Sequence, residues 1–144
     1  MNWKRAAEDD LRAYNRRKES LQTMMDHCQA LQYGREAVSS TSVIIPEEGG
    51  FSQWEDKQLN SICEEKRLEL TYAATRILVE GTERGLDRLN ETERKVLDRF
   101  YINRINKHVE SLMDELGYEK SQVYNIKDSA LYKFTISLYG LPDY

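Results

Sequence analysis

The sequence predicts an all-helical protein in which a long helical hairpin precedes a unit of three short helices. Apolar side chains recur at steps of three, four and seven residues through most of the 144-residue chain, and this period is that of amphipathic helices. Only two prolines interrupt the chain. Charged residues make up 32% and apolar residues 40% of the composition, a mixture typical of helices with long solvated faces.

The first predicted helix runs from Trp3 to Tyr33, a segment without glycine or proline, and Gly34 is its expected end. Lys18 fills one position of a stripe that is otherwise apolar and heptad-like. The members of this stripe are Leu11, Tyr14, Leu21, Met25 and Cys28. We therefore predict a long amphipathic helix here.

Residues 35–51 are rich in Ser and Thr and contain Pro46 and Gly49-Gly50, which predicts a connector. A second long helix is predicted from about Gln53 to about Gly85. Its expected apolar stripe consists of Leu59, Ile62, Cys63, Leu70, Ala73, Ile77 and Leu78. Two such helices would form an antiparallel hairpin over residues 1–88. Charged interruptions in both stripes would leave apolar surface uncovered in a monomer, so we expect a homodimer.

The second predicted domain, residues 89–144, contains three short helices. Asn90 and Glu93 have the spacing of a capping box, Asn106 is the expected cap of the next helix, and Gly117 ends it. The predicted helices cover residues 91–102, 107–116 and 120–139.

A tight turn at Gly117 between the last two helices predicts a helix-turn-helix arrangement. Val123 and Ile126 begin the apolar face of the last helix. Its opposite face presents amides, hydroxyls and amines, the groups that bind base edges and phosphates in a major groove. The candidate DNA-binding residues of this helix are Lys120, Ser121, Gln122, Tyr124, Asn125 and Lys127.

Residues 89–134, LNETERKVLDRFYINRINKHVESLMDELGYEKSQVYNIKDSALYKF, resemble region 4 of bacterial sigma factors. The matching positions are Leu89, Glu93, Arg94, Val96, Leu97, the pair Phe100-Tyr101, the helix end Leu116-Gly117, and Val123, Ile126, Ala130 and Leu131. The layout of the whole chain resembles phage-encoded late-gene transcriptional activators of the RinA and ArpU type. These resemblances imply an all-α DNA-binding protein.

The resemblance therefore predicts a phage-type transcriptional regulator that binds double-stranded DNA through its last helix. Arg94, Lys107 and Lys133 are expected to contact phosphates, and the long hairpin would dimerise or contact RNA polymerase. Sigma region 4 usually has arginines near the start of its recognition helix, where this chain has Lys120, Gln122 and Tyr124. This departure is compatible with a different target sequence.

The formal net charge of −4 favours an alternative, because DNA-binding domains usually have a basic face. In that alternative the chain is a protein-interaction module that contacts RNA polymerase or another regulator without gripping DNA. A second alternative is a helical structural protein of a phage particle.

No catalytic constellation, phosphate-binding glycine loop or zinc-ligand spacing is recognisable in the sequence. We therefore expect no enzymatic activity, no cofactor and no metal site. The charged N-terminal segment and the absence of a long apolar run predict neither a signal peptide nor a membrane span. Cys28 and Cys63 are expected to be reduced core residues of a cytoplasmic protein in a bacterial host cell.

Overall fold

The computed structural model describes residues 2–41 and 50–140, with side chains for residues 2–37 and 54–140. Within these ranges all regular secondary structure is helical, which confirms the all-α prediction. No helix of the described ranges combines the length and apolar character that crossing a bilayer requires. The helices are α1 (Trp3–Thr41), α2 (Gly50–Asp87), α3 (Glu91–Leu97), α4 (His108–Leu116) and α5 (Lys120–Tyr139), and a π-helical segment (Asp98–Ile102) directly follows α3.

The two long helices extend further than predicted. The first does not stop at Gly34 but continues to Thr41, because this glycine adopts a helical conformation instead of the left-handed one that ends a helix. The second begins at Gly50. The predicted connector 35–51 is therefore wrong at both ends, and its central part, residues 42–49, lies outside the described residues.

The chain divides into two compact units. Unit 1 consists of Met1–Arg17 together with Ile77–Tyr144, and unit 2 consists of Lys18–Arg76. The long helices α1 and α2 each contribute to both units. Unit 1 thus contains the start of α1, the end of α2 and all the shorter helices.

Unit 1 has an apolar core formed by several helices. From α5, Val123, Leu131 and Phe134 are fully buried, as the predicted apolar face of this helix requires. Leu11 of α1 and Leu112 of α4 are also fully buried in the same cluster. Removing such side chains from water is the main favourable contribution to folding, at about 1.5–3 kcal/mol for each large aliphatic or aromatic group.

A glycine of α2 permits close helix packing in this core. A Cβ atom added to Gly85 would lie 2.8 Å from Cε2 and 2.9 Å from Cδ2 of Phe134. Since Phe134 is fully buried, its ring has little room to move aside. At Gly81, one turn earlier, the nearest atom to such a Cβ would be 3.9 Å away.

Tyrosine hydroxyls connect the start of α1 to the rest of unit 1. The Tyr14 hydroxyl donates to Glu83 at 2.8 Å, and the Tyr101 hydroxyl donates to Glu8 at 3.2 Å. Burial and the neighbouring Glu83 carboxylate raise the pKa of Tyr14 to about 12. These tyrosines therefore remain protonated donors, and they hold the amino-terminal part of α1 within the unit.

The helix caps of unit 1 agree with the sequence in part. The capping box at the start of α3 is confirmed, with the Glu93 amide donating to Asn90 Oδ1 at 2.8 Å. The predicted cap of α4 is wrong: the capping position belongs to Lys107 rather than Asn106, and Lys107 has a left-handed backbone with φ of 56°. No side chain caps α4. Gly117 ends this helix with φ of 70°, as predicted.

In unit 2 the two long helices run antiparallel and meet along a largely polar seam. Gln32 donates to Glu65 at 2.6 Å, and Arg35 donates to Ser61 at 3.3 Å and forms an ion pair with Glu65. Glu65 is buried, at 8% exposure. A charged group is tolerated there because both of its oxygens have donors.

The predicted apolar stripes do not both face this seam. Of the stripe predicted for α1, Cys28 is half-buried whereas Met25 is exposed. The stripe predicted for α2 is exposed along its whole length. The residues turned inward include Trp54, Gln58, Ser61, Glu65, Leu68, Tyr72 and Thr75. Both series in α2 have heptad spacing, and the more polar one packs because Gln32 and Arg35 supply its hydrogen-bond partners.

Candidate nucleic-acid interface

Two helices of unit 1 are joined by a tight turn and expose the start of the second. Three residues, 117–119, separate the end of α4 from the first residue of α5. Buried Leu112 of α4 and Val123 of α5 belong to the same core cluster. The Glu119 amide donates to Gln122 Oε1 at 3.0 Å, which fixes the first turn of α5.

The exposed surface at the start of α5 contains most of the residues predicted from the sequence. Exposed there are Lys120, Ser121, Gln122, Tyr124 and Asn125. The Glu119 amide donates to the carbonyl oxygen of Gln122 and holds this side chain at the start of α5, which disfavours its turning both amide groups to an adenine. Asn125 is exposed, so it is the better candidate for bidentate contact with a base edge.

Lys127 does not point outward as the helical period predicted. Its side chain is only 18% exposed and forms an ion pair with Asp128 at 3.0 Å. The ammonium group lies 5.7 Å from the centre of the Phe100 ring and 5.6 Å from that of Tyr124. The rings attract the cation, and the long aliphatic stem packs along the unit. A role for Lys127 in contacting phosphate is therefore disfavoured.

A basic depression of about 360 Å³ lies between the start of α4 and the start of α5. Its cationic side chains are Arg104, Lys107 and Lys120, and Glu110 is the acidic residue of its lining. Within the described part of the chain, no carboxylate forms an ion pair with any of these three cations. Lys107 and Lys120 are predicted from the sequence, whereas Arg104 is not, because it lies in the segment between helices where no periodic pattern points to it.

The depression also contains a histidine whose ionisation reflects the local charge. His108 packs edge-on against Phe100, with 4.6 Å between ring centres. Burial is the main cause that lowers the pKa of His108, and the Arg104 guanidinium lowers it further. The Glu110 carboxylate opposes both effects. With three cationic side chains and one carboxylate in its lining, the depression is locally cationic although the whole chain is acidic.

The remaining predicted phosphate contacts lie elsewhere in unit 1. Lys133 forms an ion pair with Glu93 at 3.0 Å, beside a second depression of about 420 Å³ that Asn125 also lines. Arg94 is exposed on α3 and lines neither depression. The structure therefore brings Lys107, Lys120 and Tyr124 together and separates them from Arg94 and Lys133.

No protein-family model matches this chain, and no curated protein or solved structure is significantly similar to it. Among the described residues, no group of three or more His, Cys, Asp or Glu side chains is arranged to hold a metal ion.

Proposed function

We propose that this chain is a phage-type transcriptional regulator that acts in the bacterial cytoplasm by binding double-stranded DNA. The observation that supports this most is the basic depression, because its cations adjoin the exposed, polar start of α5. The sequence resemblance to sigma region 4 and to phage late-gene activators agrees with it. No catalytic step is involved, since the protein would act by occupying a DNA site.

The phosphate backbone is the proposed ligand of the depression. Lys107 and Lys120 would each neutralise a phosphate, and Arg104 can bind one with two hydrogen bonds. The first amides of α4 have no side-chain cap, and such amides at a helix start favour an anion. Contacts of this kind position a protein on DNA and provide affinity without sequence information.

Base recognition is assigned to the exposed start of α5. Asn125 can bond an adenine through both amide groups, and one such pair contributes roughly 1–3 kcal/mol of discrimination against the wrong base. Ser121 can bond either a base or a phosphate. Gln122 offers chiefly its NH₂ group, because its oxygen already accepts the Glu119 amide.

A second candidate function is a protein-interaction module that contacts RNA polymerase or another regulator and leaves DNA free. The pairing of Lys127 with Asp128 and of Lys133 with Glu93 favours it, because both cations are neutralised within the chain. The net charge of −4 favours it as well. The two candidates differ in whether the free cations of the depression bind phosphate.

Fluorescence anisotropy with duplexes from the DNA flanking the gene, and with scrambled duplexes, tests the DNA proposal. Arg104→Ala, Lys107→Ala and Lys120→Ala should each weaken binding to all sequences and lower the salt slope by about one unit. Arg88→Ala removes an exposed cation of unit 1 outside the basic depression and should leave both quantities unchanged. Asn125→Ala should relax preference at one base pair while retaining the salt slope.

Two results would contradict the DNA proposal. One is a parent protein that binds none of the duplexes at low salt. The other is an equal loss of affinity for Arg88→Ala and for the three depression variants, since nonspecific charge would then explain the binding. In either case the protein-interaction candidate becomes the better account, and polymerase capture by the parent and by Lys120→Ala would be the next comparison.

A further inference from the structure

The second long helix of unit 2 exposes a row of apolar side chains on one face, interrupted by Lys66. Leu59 is 59% exposed, Ile62 52% and Leu70 67%. Cys63 and Ala73, on the same face, are exposed as well. We call these five residues the outer stripe. Exposed apolar side chains are common singly, but several of them on one helix face form a candidate surface for another molecule.

The outer stripe lies on the face of α2 opposite the polar seam. With a rotation of 100° per residue, Ser61, Glu65 and Tyr72 fall on one side of the helix and Leu59 and Leu70 on the other. Since α1 of the same unit occupies the seam, with Arg35 bonded to Ser61, it cannot also cover the stripe. From residue 59 to residue 73 the stripe is about 21 Å long, at 1.5 Å per residue.

The charge around the stripe excludes some classes of partner. Lys66 lies within the outer stripe and forms an ion pair at 3.8 Å with Glu69, which lies on one border of the stripe. Arg67 lies on the opposite border. Residues 54–76 contain four basic and five acidic side chains. A nucleic acid or an anionic lipid surface would require a clear excess of cations, whereas this face is almost neutral.

We propose that a second copy of this chain covers the outer stripe, so that two α2 helices pack against each other through Leu59, Ile62 and Leu70. The steps of three and four residues between apolar positions are those of a helix that packs against another helix of the same repeat. A twofold contact uses one patch on both partners. Borders that contain both signs of charge allow two identical faces to meet without net repulsion.

The proposed contact joins two α1–α2 pairs into a four-helix arrangement. Each copy contributes three aliphatic side chains that are more than half exposed in the single chain. A contact of this size is small for a stable dimer, so we expect a dissociation constant of about ten micromolar. Lys66 interrupts the stripe and weakens the contact, because its ammonium group must remain in water.

Sedimentation equilibrium of the full chain between 1 and 200 micromolar (roughly bracketing that affinity) tests the proposal. Leu70→Glu should weaken dimerisation at least about tenfold with an unchanged thermal melt, since the position is exposed in the monomer. Tyr33→Glu is the matched control: Tyr33 lies on α1 of the same unit and is 68% exposed, against 67% for Leu70. It should dimerise like the parent.

Lys66→Leu should tighten dimerisation by about tenfold, because it completes the apolar row. A folding defect cannot produce such a gain. Two results would overturn the proposal. In the first, the parent and Lys66→Leu both remain monomeric. In the second, Tyr33→Glu weakens the dimer as much as Leu70→Glu does. The proposal does not depend on DNA binding: loss of the dimer in Leu70→Glu leaves the basic depression intact, so fluorescence anisotropy of this variant with the DNA duplexes separates the two proposals.

Discussion

The two units differ in where their large apolar side chains lie. In unit 1 the large apolar residues of α4 and α5 face inward, and Leu112, Val123 and Phe134 are fully buried. In unit 2 the seam between α1 and α2 encloses Glu65 with its partners Gln32 and Arg35, while Leu59 and Leu70 lie outside. Unit 1 therefore obtains its stability from its own core, whereas unit 2 leaves part of its apolar surface exposed.

The chain has one tryptophan in each unit, so the comparison can be measured in the full protein. Trp3 belongs to unit 1, where it packs at 5.1 Å from Tyr139 between ring centres. Trp54 belongs to unit 2. In the Trp54→Phe variant only Trp3 remains, so a fluorescence melt follows unit 1. In the Trp3→Phe variant only Trp54 remains, so the melt follows unit 2.

The largest expected effect is the loss of the unit 1 fold on charging its core. Val123 is fully buried, so Val123→Asp should lower the free energy of unfolding by at least about 3 kcal/mol, because the carboxyl group has no polar partner there. The melt of Trp3 measures this in the Trp54→Phe background. Ser121→Asp, on the exposed side of the same helix, should stay within about 0.5 kcal/mol; equal losses in both would contradict the assigned faces of α5.

A smaller effect is expected where α2 approaches α5. Gly85→Ala should destabilise unit 1 by about 1–3 kcal/mol, because its Cβ would lie under 3.0 Å from the buried Phe134 ring. Gly81→Ala has room for the methyl group, so it should be neutral or stabilise by up to about 1 kcal/mol through its helix propensity. Chemical denaturation monitored by Trp3 should show a loss of stability for Gly85→Ala but not for Gly81→Ala, and equal losses in both variants would refute the close approach.

The smallest effect is a pH dependence of unit 2. The hydrogen bond from Gln32 contributes most to lowering the pKa of Glu65, and the hydrogen bond from Arg35 lowers it further. This carboxylate therefore stabilises the fold above its unfolded pKa of about 4.3, and the contribution is lost as the pH falls through the lowered value. Melts of Trp54 in the Trp3→Phe background, from pH 6 down to about pH 3, should show a weaker acid destabilisation for Glu65→Gln than for the parent.

Glu64→Gln is the control for this measurement, since the Glu64 side chain is 43% exposed and lies 3.7 Å from His27. Its acid melt should follow that of the parent. If Glu65→Gln and the parent lose stability in parallel, the polar seam does not contribute as the structure indicates.

Much of the local structure follows from the sequence. Steps of three and four residues predicted the helices, the spacing of Asn90 and Glu93 predicted a capping box that the structure contains, and Gly117 ends α4 with a positive φ. The bounds of α5 agree with those predicted. These features depend on neighbours within one turn of helix, so the sequence alone determines them.

Only the tertiary structure decided which face of α2 is inward and which cations remain free. Two series of residues in that helix share the heptad spacing, and the partners on α1, Gln32 and Arg35, selected the more polar series. Likewise Lys127 and Lys120 look equivalent in sequence, yet the Phe100 ring lies near the first while the second remains exposed beside Arg104. Such choices depend on residues far apart in the chain, which periodicity along a single helix cannot reveal.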